Sequence, residues 1–177
     1  MKSLVIFAGA VVAAAALASA QQSPSRVATV TITAQPIIVS YSAPSVRGRE
    51  GKIFGKDGIV AKNASYPVWR AGANAQTWFY TSADLDVGGL AVPKGEYSLF
   101  VNLADPENWE LIINRQTRLW GTLYDASLDI GRVKMAMSKP AATIETLQYT
   151  LTDEGGHMAK LQLAWENHVA SVPIRIK

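Results

Sequence analysis

The sequence predicts an all-β fold, an antiparallel β-sandwich or jelly roll of about nine short strands with little helix. Three observations carry this. Apolar residues alternate with polar ones in one segment after another, which puts one face of each segment on a core. Gly, Pro and Asn turns separate the segments, and no stretch beyond the first 20 residues holds the helical period that the crossovers of a parallel sheet would need.

Val27 to Thr33 alternates threonine with apolar residues and reads as a half-buried strand, with a turn ending at Pro36. Ile37, Val39 and Tyr41 share one face of the next strand. Pro44, Gly48 and Gly51 then open an irregular segment that runs to about Tyr66. β-branched and aromatic residues return from Gln76 to Thr81. Leu85-Asp86-Val87 and Leu90-Ala91-Val92 flank Gly88-Gly89, a tight hairpin.

Pro93-Lys94-Gly95 is a second turn, feeding a strand in which Tyr97, Leu99 and Val101 face one way. After the turn at Asp105-Pro106-Glu107-Asn108, Trp109 to Asn114 is apolar enough for burial on both faces. Thr122 to Gly131 has room for one short helical turn. Arg132 to Met137 sets Val133, Met135 and Met137 on one face, and Leu147, Tyr149 and Leu151 repeat the pattern. Ala159, Leu161, Leu163 and Trp165 then alternate with polar residues, and a turn at Asn167-His168 leads to Val172, Ile174 and Ile176.

The N-terminus carries a different signal. Lys2 precedes an apolar run from Leu4 to Leu17, and Ala18-Ser19-Ala20 has the small-x-small form of a cleavage site. The expected organisation is a signal peptide over 1–20, a flexible linker over 21–26 and one domain over 27–177. Localisation is then periplasmic or secreted, with no membrane anchor after cleavage.

Cysteine is absent, so disulfides, thiol catalysis and cysteine metal sites are excluded. Without the first 20 residues the charged groups number 16 Lys and Arg against 14 Asp and Glu, too even a balance to suggest nucleic acid as a partner. The only histidines, His157 and His168, flank the last hairpin in or beside turns, where surface or capping roles are expected, and lack metal-site or triad spacing. Asp125-Ala126-Ser127-Leu128-Asp129 starts like a calcium loop, but Gly131 comes one place late and Ala136 replaces the closing Glu. Turn and capping roles fit these residues better. No metal, cofactor or catalytic residue is assigned. The carboxylate pairs Asp84 with Asp86 and Asp153 with Glu154 become acid-base candidates only if folding brings partners to them.

The candidate ligand-binding residues are Arg47, Arg49, Trp69, Arg70 and Asn74. Arginine offers a planar fork of donors, tryptophan a flat apolar face, and asparagine both donor and acceptor, all between two strands. An alternative reading is structural: Trp69 plugs the end of the sandwich, Arg70 satisfies buried carbonyls or Asp84 or Asp86, and Asn74 ties a turn. Among the other tryptophans, Trp109 and Trp165 are expected in the core, and Trp120 beside Gly121 is the better candidate for an exposed ring. Asn63-Ala64-Ser65 is a formal glycosylation sequon.

Several motifs follow one another along the chain: Tyr41-Ser42-x-Pro44 with Arg47-Gly48-Arg49, Ile53-Phe54-Gly55, and Val68-Trp69-Arg70-x-Gly72-x-Asn74. Val92-Pro93-x-Gly95-x-Tyr97-Ser98-Leu99-Phe100, Trp109-x-Leu111-Ile112-x-Asn114 and Trp120-Gly121 follow. In this order the chain resembles a bacterial secreted family, domain of unknown function 2911. The resemblance implies an extracytoplasmic β-rich domain and supplies no activity or site residues. Glu50-Gly51-Lys52 departs from it as an insertion before Ile53, and Lys56 to Ser65 is longer and more polar than the resemblance implies.

The leading functional expectation is a non-catalytic binding module for a small polar or glycan-like ligand, or for an envelope partner. The rival expectations are a cell-envelope hydrolase using loop carboxylates with Arg70 as a clamp, and a purely structural envelope interaction domain.

Overall fold

A computed structural model describes residues 23–177, so the expected signal peptide at 1–20 lies outside the described residues. Two antiparallel sheets pack face to face. The first holds β1 (Ser25–Ile32), β2 (Gln35–Ser42), β3 (Val68–Trp69), β4 (Thr77–Thr81), β7 (Gly95–Asn102), β8 (Glu110–Asn114) and β9 (Asp129–Lys134), in the order β1-β2-β4-β7-β8-β9 with β3 on β7. The second holds β11 (Ile144–Gly155), β12 (Met158–Glu166), β13 (His168–Ile176), β5 (Leu85–Val87) and β6 (Leu90–Val92) in that order, with β10 (Ala136–Ser138) on β13.

The alternating faces read from the sequence meet between the sheets. Ile37, Val39 and Tyr41 from β2, Leu99 and Val101 from β7, and Leu161 and Leu163 from β12 are buried in one cluster. Tyr41 and Tyr149 join the layers: their rings meet edge to face with centroids 4.8 Å apart, and the Tyr149 amide donates to the Tyr41 hydroxyl at 3.1 Å. β7 and β8 are buried on both faces because Val68, Phe100 and Ile112 form a small second cluster under Tyr124. The hairpin at Gly88-Gly89 forms, both glycines having positive φ.

The described residues form 13 strands, where the sequence reading expects about nine. The main difference is at Met135. The alternation of Val133, Met135 and Met137 was expected to be one strand, yet β9 pairs with β8 in the first sheet and β10 with β13 in the second. Both sheets present their inner faces to the same core, so the period of two continues through the crossing. Pro36 lies inside β2, opposite Thr31, and the turn is instead Thr33-Ala34 at positive φ. β1 begins at Ser25, within the stretch expected to be linker, and the Ala43 amide donates to the Pro24 carbonyl at 2.8 Å.

Candidate functional site

Two irregular segments build one cleft at an end of the sandwich. The first is an excursion between β3 and β4. Trp69 pairs with Val101 and Thr77 with Leu99, so residues 70–76 leave the sheet while β7 advances by the single residue Phe100. Ala71 and Asn74 turn the chain at φ of 50° and 58°, a left-handed region that asparagine tolerates better than most residues. The excursion is tied from inside: Trp69 Nε1 donates to the Gly72 carbonyl at 3.1 Å, and the Thr77 and Tyr149 hydroxyls donate to the Ala71 carbonyl at 3.1 and 3.0 Å.

The second segment is residues 43–67, which cross from the first sheet to the second and back. Val46 N donates to the Glu145 carbonyl at 2.7 Å, Arg47 N to Glu145 Oε1 at 3.0 Å, and Gly51 N to Glu166 Oε1 at 2.6 Å. Val46, Ile53 and Val60 are buried and hold the loop down. Under it lies an aromatic cluster. Phe54 has its ring centroid 4.8 to 5.6 Å from those of Trp69, Trp109, Trp165 and His168, and Trp69 stacks on Trp165 at 5.8 Å. Each such pair contributes about 0.5–1.5 kcal/mol beyond burial.

The cleft between these segments encloses about 380 Å³. All five candidate residues, Arg47, Arg49, Trp69, Arg70 and Asn74, line it. Arg49 Nε and Nη2 donate to the Val46 and Ser45 carbonyls at 2.7 and 2.6 Å. Arg70 Nη1 donates to the Asn74 carbonyl and Nη2 to Asn63 Oδ1, both at 2.9 Å. The three arginines form no ion pair with any described residue. Burial without a carboxylate partner lowers the pKa of Arg70 from its ordinary value.

No Asp, Glu or His is among the described residues that line the cleft. Trp120 stands at its edge with 58% of its surface exposed, whereas Trp69, Trp109 and Trp165 are 2%, 1% and 4% exposed. Trp69 therefore plugs the end of the sandwich and also walls the cleft. The Arg70 partners are a carbonyl and an amide oxygen; Asp84 instead accepts from Lys94 N, and Asp86 faces Arg175.

Asn63 did not stand out from the sequence except as a sequon, yet its Nδ2 donates to the Val60 carbonyl at 3.0 Å while its Oδ1 holds Arg70. His168 lies beside the Asn167 turn as expected but is half-buried: it starts β13, stacks on Trp109 at 4.9 Å, and leaves Nδ1 buried without a hydrogen-bond partner. Burial lowers its pKa, against the pull of Glu166. Asp125 caps a short 3-10 turn (Ala126–Leu128), its side chain accepting from Ser127 N at 2.9 Å, the role expected from its sequence.

A family model described as "Protein of unknown function (DUF2911)" matches residues 23–174. The chain belongs to this family. The match spans both sheets and the cleft, and the DUF2911 description carries no activity. No curated protein and no solved structure matches the chain.

Proposed function

We propose that this DUF2911 domain is an exported, non-catalytic binding module whose small polar or glycan-like ligand sits in the cleft between residues 43–67 and 70–76. The observation that carries the proposal is the convergence of Arg47, Arg49, Arg70 and Trp120 on a single cleft. Its volume is within the range of ligand pockets, about 300–1,000 Å³. Guanidinium groups fix oxygen-rich ligands by directed hydrogen bonds, and an exposed indole offers a face to an apolar ring surface.

The lining favours binding over turnover. A hydrolase of the kind expected from loop carboxylates needs an acid or base within reach of the reacting bond. The described lining has neither carboxylate nor imidazole. Export rests on the cleavable pattern of residues 1–20.

Isothermal titration against a panel of neutral and acidic saccharides and peptidoglycan fragments tests the proposal. Binding that is lost in Trp120→Ala, with the thermal melt unchanged, supports it. A panel without a single binder overturns it.

A further inference from the structure

We infer that the ligand of this cleft is an acidic saccharide, its oxyanion seated against Arg49 and Arg70 and its ring against Trp120. The inference rests on the binding-module reading and names the ligand class. Each guanidinium carries five N–H groups. Arg49 and Arg70 each engage two of theirs, and all four acceptors are neutral oxygens. Each therefore keeps three N–H groups and an uncompensated positive charge at the cleft.

Charge taken out of water is normally balanced by a carboxylate or by solvent. Glu145 and Glu166 belong to the elements that hold the loop and form no ion pair with these arginines: each accepts a backbone amide, from Arg47 and Gly51, and neither lines the cleft. The N-terminal segment brings no counter-charge, since residues 1–22 contain no Asp or Glu. Arg47 adds a third arginine to the lining of the cleft, exposed and with no partner for its side chain among the described residues. An oxyanion would supply the missing acceptor with charge-assisted hydrogen bonds, which arginine makes in bidentate form to carboxylate and phosphate alike.

The ring half of the inference rests on Trp120. It is the only tryptophan of the five, all within the described residues, with more than half of its surface exposed, and its chain neighbour Gly121 packs on the Arg70 stem. An anion site and an apolar face in one cleft match a ligand with a charged substituent on a sugar ring.

The test is isothermal titration of the exported domain with D-glucuronate, D-glucose 6-phosphate and D-glucose, each to millimolar concentration, at low and at physiological salt. At least one acidic sugar should bind about tenfold or more tightly than glucose, the size of one charge-assisted hydrogen bond. That affinity should fall with salt. Arg47→Gln should weaken it severalfold while the melt is retained, Arg47 being exposed and free of structural bonds through its side chain, whereas Arg49→Gln should weaken it with a lower melt, since it also loses the bonds to the Val46 and Ser45 carbonyls. Preference for glucuronate over glucose 6-phosphate, or the reverse, identifies carboxylate or phosphate as the source of the oxyanion. Glucose binding as tightly as both acidic sugars overturns this inference and leaves the binding-module reading standing. Binding of none of the three, with none in the wider panel, overturns both.

Discussion

The stem of Arg70 packs against Gly121 in the volume that a Cβ at residue 121 would fill. That Cβ would also meet the Asn74 carbonyl oxygen at 2.6 Å, the same oxygen that accepts from Arg70 Nη1 and from Gly121 N at 2.9 and 3.0 Å. Residue 121 thus fixes where the guanidinium stands. Gly121→Ala should destabilise the domain by about 1–3 kcal/mol, the usual effect of forcing atoms into a packed site. In a domain of this size each 1 kcal/mol lowers the melting temperature by roughly 2–4 °C. Thermal denaturation checks this, and titration should show weakened ligand binding because Arg70 is displaced.

Removing the Arg70 head alone separates clamp from ligand contact. Arg70→Met keeps the stem against Gly121 and deletes the bonds to Asn74 and Asn63. The expected loss is about 2 kcal/mol for two hydrogen bonds, measured by denaturant unfolding. Asn63→Ala also loses two bonds, to Arg70 and to the Val60 carbonyl, and the double variant should lose less than the sum of the two because they share the Arg70–Asn63 bond.

Tyr149 couples the excursion to the second sheet through its bond to the Ala71 carbonyl. Burial pushes its pKa well above the ordinary tyrosine value, and burial with Asp129 pushes Tyr124 up to about 12. A raised pKa in the folded state means that the unfolded chain loses its protons first. Stability should therefore hold up to the unfolded tyrosine value, about pH 10, and decline as pH rises beyond it. Tyr149→Phe should cost about 1 kcal/mol near neutrality and flatten the alkaline decline in a pH series of melts.

His168 acts at the other end of the scale. Its lowered pKa means that the unfolded chain takes up a proton more readily than the folded one. Its contribution is complete above about pH 6.5 and is lost as pH falls through the folded value. His168→Phe keeps a ring against Trp109 and removes the unpartnered Nδ1. Its melting temperature should fall less than that of the unsubstituted chain between neutral pH and the onset of carboxylate protonation.

Much of the fold was legible because it is local. The period-two faces of β2, β7 and β12 lie on the core as read, the Gly88-Gly89 turn follows from glycine's access to positive φ, and the contrast between Trp120 and Trp165 came from their neighbours in sequence. The five candidate residues were legible as residue types beside a scaffold, and their convergence depends on the looped-out residues 70–76 between two strands on the same edge of β7. What stayed hidden is long-range. The crossing at Met135 leaves the alternation unbroken, β3 is too short to show a period, and Glu166 and His168 gain their burial from a loop more than 100 residues earlier. Asn63 was hidden because a side chain that bridges Val60 and Arg70 looks, in sequence, like any surface asparagine.

The central claim is that the guanidinium groups of Arg49 and Arg70 meet the ligand. Side-chain Nε–Hε spectra of ¹⁵N-arginine-labelled protein, assigned with Arg→Gln variants and titrated with the tightest-binding acidic sugar, test it most directly. The account predicts saturable shifts at Arg49 and Arg70, with Arg132 and Arg175, which face Asp129 and Asp86 outside the cleft, unmoved. Shifts confined to arginines elsewhere, or equal across all of them as for a non-specific ionic effect, would contradict it.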